Sequence, residues 1–237
     1  MSSASSQGFF SGPAFYRIVP FAAFMLFIAV EEGLAFLQRQ GVLLFDETLR
    51  LWLYAPKIAV TLALLIAFRR HYSEIDLREL TRLPHLLLSV AVGIAVFALW
   101  INMAWSLSEQ AAPPGFDPRQ VADPTSRWLL TGLRCSGAVI VVPIMEELFW
   151  RSFLLRWLID RDFMTVAVGR LSWFAVLATT VLFGLEHHYV FAGMMAGALF
   201  TLVYWQTGSI IHCILCHAVA NLGLAWYVLA TAQWQFW

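Results

Sequence analysis

Long apolar stretches separated by short polar segments make up most of this chain. A helix needs about 20 apolar residues to cross a hydrocarbon layer of about 30 Å, so we predict about seven membrane spans, and at most eight. The predicted spans are Phe15–Phe36, Leu51–Phe68, Leu86–Leu107, Trp128–Leu158, Leu171–His188, Tyr189–Gln206 and Ile210–Ala232. The predicted fold class is therefore all-α, a polytopic transmembrane helix bundle with an intramembrane polar cavity.

The segments between the spans differ in how clearly they mark a boundary. Thr207-Gly208-Ser209 separates the last two spans, since Gly can end one helix and Ser can cap the next. No comparable signal separates the fifth span from the sixth. The run Pro113–Pro118 predicts a loop. Residues 1–12 are rich in Ser and Gly and predict a disordered tail, and 13–237 predict a single transmembrane domain.

Composition supports the membrane assignment and restricts the partners. The chain is 60% hydrophobic and 13% charged, with 19 Phe and 11 Trp among 237 residues, which lies far outside the range of soluble domains. The formal net charge is zero and no long basic run occurs, so nucleic acid is not expected as a partner. The lipid bilayer is the expected environment.

Arginine placement predicts the orientation of the chain. One side has eight arginines that follow spans two and four or end span four, namely Arg69, Arg70, Arg78, Arg82, Arg151, Arg156, Arg161 and Arg170. The opposite side has four, namely Arg39, Arg50, Arg119 and Arg127. This excess predicts a cytoplasmic amino terminus and, with seven spans, a carboxyl terminus on the outer side.

The fourth span contains three charged residues, which are expensive to place in a bilayer. Glu147 and Arg151 are four residues apart and therefore share a helix face, where they are expected to pair. Glu146 lies about 100° around the helix and is free to point elsewhere. Either the three residues form a structural ion-pair network, or they carry out chemistry.

Two later spans contain histidines with a second side chain four residues away. Phe183 is placed to pack on His187, and Asn221 lies beside His217. Hydrocarbon offers such polar groups no partner except one another, so convergence with Glu146 on one site is expected. The acidic pair at 31 and 32 in the first span predicts a polar contact within the bundle, with substrate gating as the alternative.

Three motifs in order give the chain a family resemblance. They are E-E-x-x-x-R at Glu146, Glu147 and Arg151, F-x-x-x-H at Phe183 and His187, and H-x-x-x-N at His217 and Asn221. On these residues the chain resembles the CAAX protease and bacteriocin-processing family of intramembrane endopeptidases. The resemblance places the family-like catalytic core at 128–232, and it is nearest to bacterial members related to CAAX prenyl proteases.

The resemblance implies a mechanism for peptide hydrolysis without a covalent intermediate. Glu146, helped by His187, would activate water, and His217 and Asn221 would donate hydrogen bonds to the oxyanion. Glu147 and Arg151 would position and tune the site. The resemblance implies no cofactor, and a zinc site formed by Glu146, His187 and His217 is the alternative.

The resemblance also implies the partner and the location. The substrate would be a membrane-associated protein or peptide, with or without a lipid anchor, and the location would be the bacterial inner membrane. The sequence gives no indication of oligomeric state. The rival hypothesis is a non-catalytic membrane scaffold or immunity-type protein that keeps these polar residues as a structural network.

Overall fold

The computed structural model describes residues 12–44, 46–103 and 115–237 as a bundle of helices. Its seven main helices are α1 Pro13–Arg39, α2 Glu47–Phe68, α3 Leu83–Trp100, α4 Pro124–Trp157, α5 Trp173–Leu185, α6 Val190–Thr207 and α7 Ile210–Thr231. No strand occurs among the described residues, and the predicted all-α fold is confirmed. Six of these helices are long and apolar enough to cross a membrane.

The fifth predicted span differs from the structure. Helix α5 has only 13 residues and ends at Leu185, three residues before the predicted end, and α6 begins at Val190. The hydropathy pattern missed this turn because no Gly or Pro marks it. Of the remaining predictions, the tail at 1–12 lies outside the described residues apart from position 12. The third predicted span is wrong at its end, because α3 ends at Trp100 and 101–103 are not helical. Its predicted last residue, Leu107, and the first two residues of the loop Pro113–Pro118 lie outside the described residues.

Helix α4 is longer than a bilayer requires, as the sequence predicts. Its 34 residues correspond to about 51 Å at 1.5 Å per residue. Two π-helical turns, Gly137–Val141 and Leu148–Leu154, flank the short α-helical segment Val142–Glu147. Wide turns of this kind are rare and occur frequently at functional sites. The acidic pair therefore lies at the end of a regular segment between two widened turns.

The turn between α6 and α7 matches one part of its prediction. Gly208 ends α6 with a left-handed φ of 60°, and its N–H donates to Tyr204 O. Ser209 occupies the N-cap position of α7, but its side chain forms no capping hydrogen bond. The predicted helix break is present, whereas the predicted serine cap is wrong.

Glycines allow α5 and α6 to form a tight hairpin. A Cβ atom at Gly184 would overlap Met194 Cγ, and one at Gly193 would lie 3.0 Å from Gly184 Cα. A Cβ atom at Gly197 would lie 3.3 Å from Phe183. The G-x-x-x-G stripe on α6 thus packs within the bundle, and this packing holds the end of α5 against α6.

A buried ion pair and its hydrogen bonds join α1 to the segment after α2 and to α4. Arg17 on α1 is 1% exposed, and its Nη2 atom donates to Glu74 Oε2 over 2.6 Å. Its Nε atom donates to Glu74 Oε1 over 2.8 Å and to Ser152 Oγ on α4 over 3.1 Å. The Ser152 hydroxyl in turn donates to the Glu74 carboxylate. These bonds connect α1, the segment after α2, and α4.

The Glu74 carboxylate predicts a pH dependence of stability. Burial alone raises the pKa of Glu74, but the hydrogen bonds and charge of Arg17 and the hydroxyl of Ser152 outweigh it and lower the pKa below 4.5. The stabilisation is therefore present above about pH 4.5 and is lost as the pH falls through the lower folded-state pKa. We expect the Tm of the wild-type protein to fall more steeply than that of Glu74→Gln between pH 6 and pH 3. Equal slopes would contradict this assignment.

Two arginines counted for the orientation are buried. Arg151 and Arg156 are 2% and 3% exposed. Arg156 donates to Val166 O and to Ser152 O, so it anchors the end of α4 within the protein. These two residues do not act as loop charges, and the arginine count becomes six against four.

Candidate active site

Glu146, Glu147 and Arg151 are buried together in α4, with exposures of 5%, 0% and 2%. Arg151 Nη1 donates to Glu147 Oε1 over 3.0 Å, which is the ion pair that the four-residue spacing predicts. Arg151 Nη2 donates to Gly197 O on α6 over 3.0 Å. Arg151 therefore fixes the Glu147 carboxylate and also ties α4 to α6.

Glu147 also holds a histidine from α7. His217 Nδ1 lies 2.9 Å from the same Glu147 Oε1 atom that Arg151 contacts. An ionised carboxylate only accepts hydrogen bonds, so Nδ1 carries a proton and donates it. Sequence spacing could not predict this contact, because the two residues lie 70 positions apart. Glu147 is thus the junction between α4 and α7.

This hydrogen bond and a ring contact orient His217 toward Glu146. The imidazole stacks on Phe200, with centroids 4.6 Å apart and an interplanar angle of 23°. Its other nitrogen, Nε2, lies 4.0 Å from Glu146 Oε2. Within the described residues, Glu146 Oε2 is buried without a hydrogen-bond partner. Glu147 therefore accepts hydrogen bonds from Arg151 and His217, whereas Glu146 Oε2 accepts none from the described residues.

His187 lies in the turn after α5 rather than within a helix, which corrects its predicted placement in a span. Its Nδ1 atom donates to Phe183 O over 2.7 Å, and the two rings lie 4.8 Å apart. The predicted packing of Phe183 on His187 is therefore present. In the neutral ring this hydrogen bond leaves Nε2 as an acceptor.

Asn221 lies one helical turn after His217 on the same face of α7. Its Nδ2 atom donates to Ala138 O over 2.8 Å, and Ala138 belongs to the first π-helical turn of α4. The amide nitrogen has a second hydrogen that this bond does not use. The contact fixes the side chain and leaves one donor available.

A cavity of about 440 Å³ brings the four predicted catalytic residues together. Glu146, His187, His217 and Asn221 all line it, although they come from α4, the turn after α5, and α7. Glu147 and Arg151 lie behind this wall and do not line it. The structure thus separates residues that face the cavity from residues that hold them.

A further acid lies at the site, and none of the sequence motifs contains it. Glu186 lines the same cavity and accepts a hydrogen bond of 3.1 Å from Trp150 Nε1. It directly precedes His187 at the end of an apolar run, so the rule applied to the fourth span would have identified it. Phe200 was also missed, since only its contact with His217 reveals it.

The zinc alternative uses Glu146, His187 and His217. The candidate metal-binding group in the structure consists of three other residues. Within the described part of the chain, Glu79, His85 and His212 have ligand atoms within 4.8 Å of one another. His212 is already engaged, because its Nε2 atom contacts Glu79 O at 3.0 Å and its Nδ1 atom contacts Ser89 Oγ at 3.1 Å. This group is therefore a set of contacts between α7 and the segment around α3.

Helix lengths, hydropathy and the buried acid–histidine cavity define an integral multi-pass membrane protein with a candidate hydrolytic centre. Residues 128–223 match the family model described as Rce1-like, Type II CAAX prenyl endopeptidase Rce1-like. The match contains all three motifs, and it confirms the resemblance to CAAX-type intramembrane proteases over this part of the chain. No curated protein and no solved structure matches the chain.

Proposed function

We propose that the protein is an intramembrane endopeptidase that hydrolyses a peptide bond with water activated by Glu146, without a covalent intermediate. The observation that carries this proposal is that Glu146, His187, His217 and Asn221 line one cavity. Peptide hydrolysis requires an activated water, stabilisation of the oxyanion and proton delivery to the leaving amine. The four side chains are of the types that these tasks require.

Glu146 and His187 are the proposed water-activating residues. Glu146 Oε2 lies free beside the cavity, 4.0 Å from His217 Nε2. A water beside these two atoms can bridge them with a hydrogen bond of about 2.8 Å to each. Glu146 accepts the proton of the attacking water. The unprotonated Nε2 of His187 provides a second hydrogen-bond acceptor for this water. The proton on Glu146 is then available to the leaving amine.

His217 and Asn221 are the proposed oxyanion donors. Asn221 offers the Nδ2 hydrogen that its bond to Ala138 O leaves unused. His217 donates from Nε2 only when its ring is protonated, since Nδ1–H already donates to Glu147. The carboxylates of Glu147 and Glu146 lie on either side of this ring, 2.9 Å from Nδ1 and 4.0 Å from Nε2. Glu147 and Arg151 therefore act as positioning residues.

The composition of the cavity wall supports direct attack by water. Among the described residues that line the cavity, none is a serine, threonine or cysteine. Ser152, which follows the acidic pair on α4, forms hydrogen bonds with Arg17 and Glu74 instead. Covalent catalysis needs a nucleophile within reach of its base, and the wall offers no hydroxyl of this kind from a serine or threonine.

The proposed substrate is a membrane-associated protein or peptide, with or without a lipid anchor, that is cut within or close to the bilayer. We propose a bacterial inner-membrane location with a cytoplasmic amino terminus, which the remaining arginine excess favours. The proposed mechanism uses no metal. In this account the cavity lies at membrane depth and contains water.

Cleavage by the purified, full-length protein in phosphatidylcholine vesicles tests the proposed function. Membrane-inserted polypeptides are offered, and mass spectrometry identifies the products. We expect proteolysis that persists in the presence of a chelator. Loss of activity with the chelator and recovery with zinc would favour the zinc-dependent alternative. Absence of proteolysis from a folded protein would favour the scaffold alternative.

Replacing either imidazole is expected to remove most of the activity. We expect His187→Ala and His217→Ala to lower kcat by about 10²–10⁴-fold, because acid–base and oxyanion groups each contribute on that scale. His188→Ala is the matched control, since His188 does not line the cavity. Single-turnover cleavage rates check the prediction, and wild-type rates for either cavity variant would contradict it.

A further inference from the structure

The cavity is also lined by three cationic side chains, Arg50, Lys57 and Arg134, which we call the cationic end. Lys57 and Arg134 both contact the ring of Tyr54. Arg134 and Glu146 lie on the same helix twelve residues apart, which corresponds to a rise of about 18 Å. The proposed active site and the cationic end are therefore separated along the axis of α4.

Arg134 is held by aromatic rings rather than by an acid. Its guanidinium carbon lies 4.7 Å from the centroid of the Tyr54 ring, 5.5 Å from that of Phe116 and 5.8 Å from that of Trp237. Such contacts fix a guanidinium group without neutralising it. Arg134 Nε is buried, and it has no hydrogen-bond partner in the part of the chain that the structure describes.

The three cations differ in how their charge is balanced. Lys57 Nζ forms an ion pair with Glu31 over 2.9 Å, so the first-span acid is part of a polar contact within the bundle. Arg50 and Arg134 form no ion pair with any described residue. Unpaired charge beside an apolar wall is costly, and an anionic ligand would offset this cost.

Guanidinium groups match the geometry of a carboxylate, to which they can donate two parallel hydrogen bonds. We propose that the cationic end binds a carboxylate of the polypeptide substrate and so selects the peptide bond that reaches Glu146. This inference rests on the proposed function. We favour a substrate carboxylate over a lipid phosphate because the same cavity contains the proposed catalytic side chains.

The separation predicts the spacing of the carboxylate from the cut. An extended peptide advances about 3.3 Å per residue, so a helix rise of about 18 Å corresponds to about five residues. The spacing shortens by up to about two residues if the Arg134 side chain extends toward Glu146. A carboxylate about three to five residues from the scissile bond is therefore expected, either from an acidic side chain or from the peptide terminus.

The test uses the full-length protein in neutral phosphatidylcholine vesicles and a series of peptides with one apolar sequence. In the first arm a single glutamate is moved along the peptide, whose terminus is amidated. In the second arm the terminal carboxylate is the only acid, and in the third arm no acid is present. Mass spectrometry locates the cuts. Fluorescence anisotropy measures binding of the same peptides to Glu146→Gln, so the site is also tested without cleavage.

We expect a carboxylate at the predicted spacing to raise kcat/KM by about tenfold or more over the acid-free peptide, mainly through KM. We expect Arg134→Gln and Arg50→Gln to reduce this ratio, and Arg134→Lys to retain part of it. The control is Arg170→Gln, an exposed arginine outside the cavity, which should keep the full ratio. The first two arms distinguish a side-chain carboxylate from a terminal one.

Three outcomes separate the possible failures. A ratio near one in the wild-type protein, or an undiminished ratio in Arg134→Gln, would overturn the carboxylate site. Activation by phosphatidylglycerol vesicles that requires Arg134 but no peptide carboxylate would assign the cationic end to a lipid phosphate instead. Carboxylate-dependent binding to Glu146→Gln with no cleavage by the wild-type protein would overturn the proposed function and leave the site in place.

Discussion

Glu146→Gln is expected to lower the rate of peptide cleavage by at least about 10³-fold while the protein remains folded. The amide is nearly isosteric with the carboxylate, but it cannot accept the proton of the attacking water. Its neutral form is also cheaper to bury than a charge, so stability should be unchanged or higher. Single-turnover cleavage in vesicles measures the rate, and a thermal unfolding curve measures the stability.

Glu32→Gln is the matched control for this substitution. Glu32 is exposed on α1 and does not line the cavity, so the same chemical change should leave cleavage unaffected. If Glu146→Gln cuts at more than a tenth of the wild-type rate, Glu146 is not the base. If both variants lose activity equally, the effect is not specific to the site.

Arg151→Ala is expected to destabilise the protein by about 3–5 kcal/mol, because it leaves the buried Glu147 carboxylate without its cation. It also removes the hydrogen bond to Gly197 O and the contact with the Phe183 ring, whose centroid lies 4.7 Å from the guanidinium carbon. For a chain of this size the loss corresponds to a fall in Tm of about 6–20 °C. Activity should fall as well, since Glu147 holds His217.

A double variant shows whether Arg151→Ala loses stability through the unpaired Glu147 carboxylate or through lost packing. If the unpaired carboxylate causes the loss, Arg151→Ala/Glu147→Gln should be more stable than Arg151→Ala alone, since the amide removes the buried charge. Arg170→Ala, in the exposed segment between α4 and α5, is the control for loss of an arginine. Equal Tm values for the single and the double variant would contradict the charge explanation.

Local spacing and hydropathy were sufficient for much of the fold and for part of the site. Apolar stretches located six helices of spanning length, and the four-residue spacing located the ion pair between Glu147 and Arg151. Both features depend on neighbours within one helix. The same rule led to the contact between Phe183 and His187.

Contacts between residues that are distant in the sequence could not be predicted from the sequence pattern. The junction of Glu147 with His217 joins residues 70 positions apart, and no local rule specifies such a pair. The end of α5 was misplaced because the turn at 186–189 contains no Gly or Pro, and the close approach at Gly184 that positions it is a tertiary contact. Arg156 was counted as a loop charge for the orientation, although it is buried. Hydropathy could not show this, because it does not record hydrogen bonds such as the one from Arg156 to Val166 O.

Single-turnover cleavage stopped by acid during the reaction, followed by intact mass analysis of the protein, tests the central claim most directly. If Glu146 activates water for direct attack, water forms the new carboxyl group in one step and the protein never carries a peptide fragment. A protein mass increased by one substrate fragment would reveal an acyl-enzyme and contradict the mechanism.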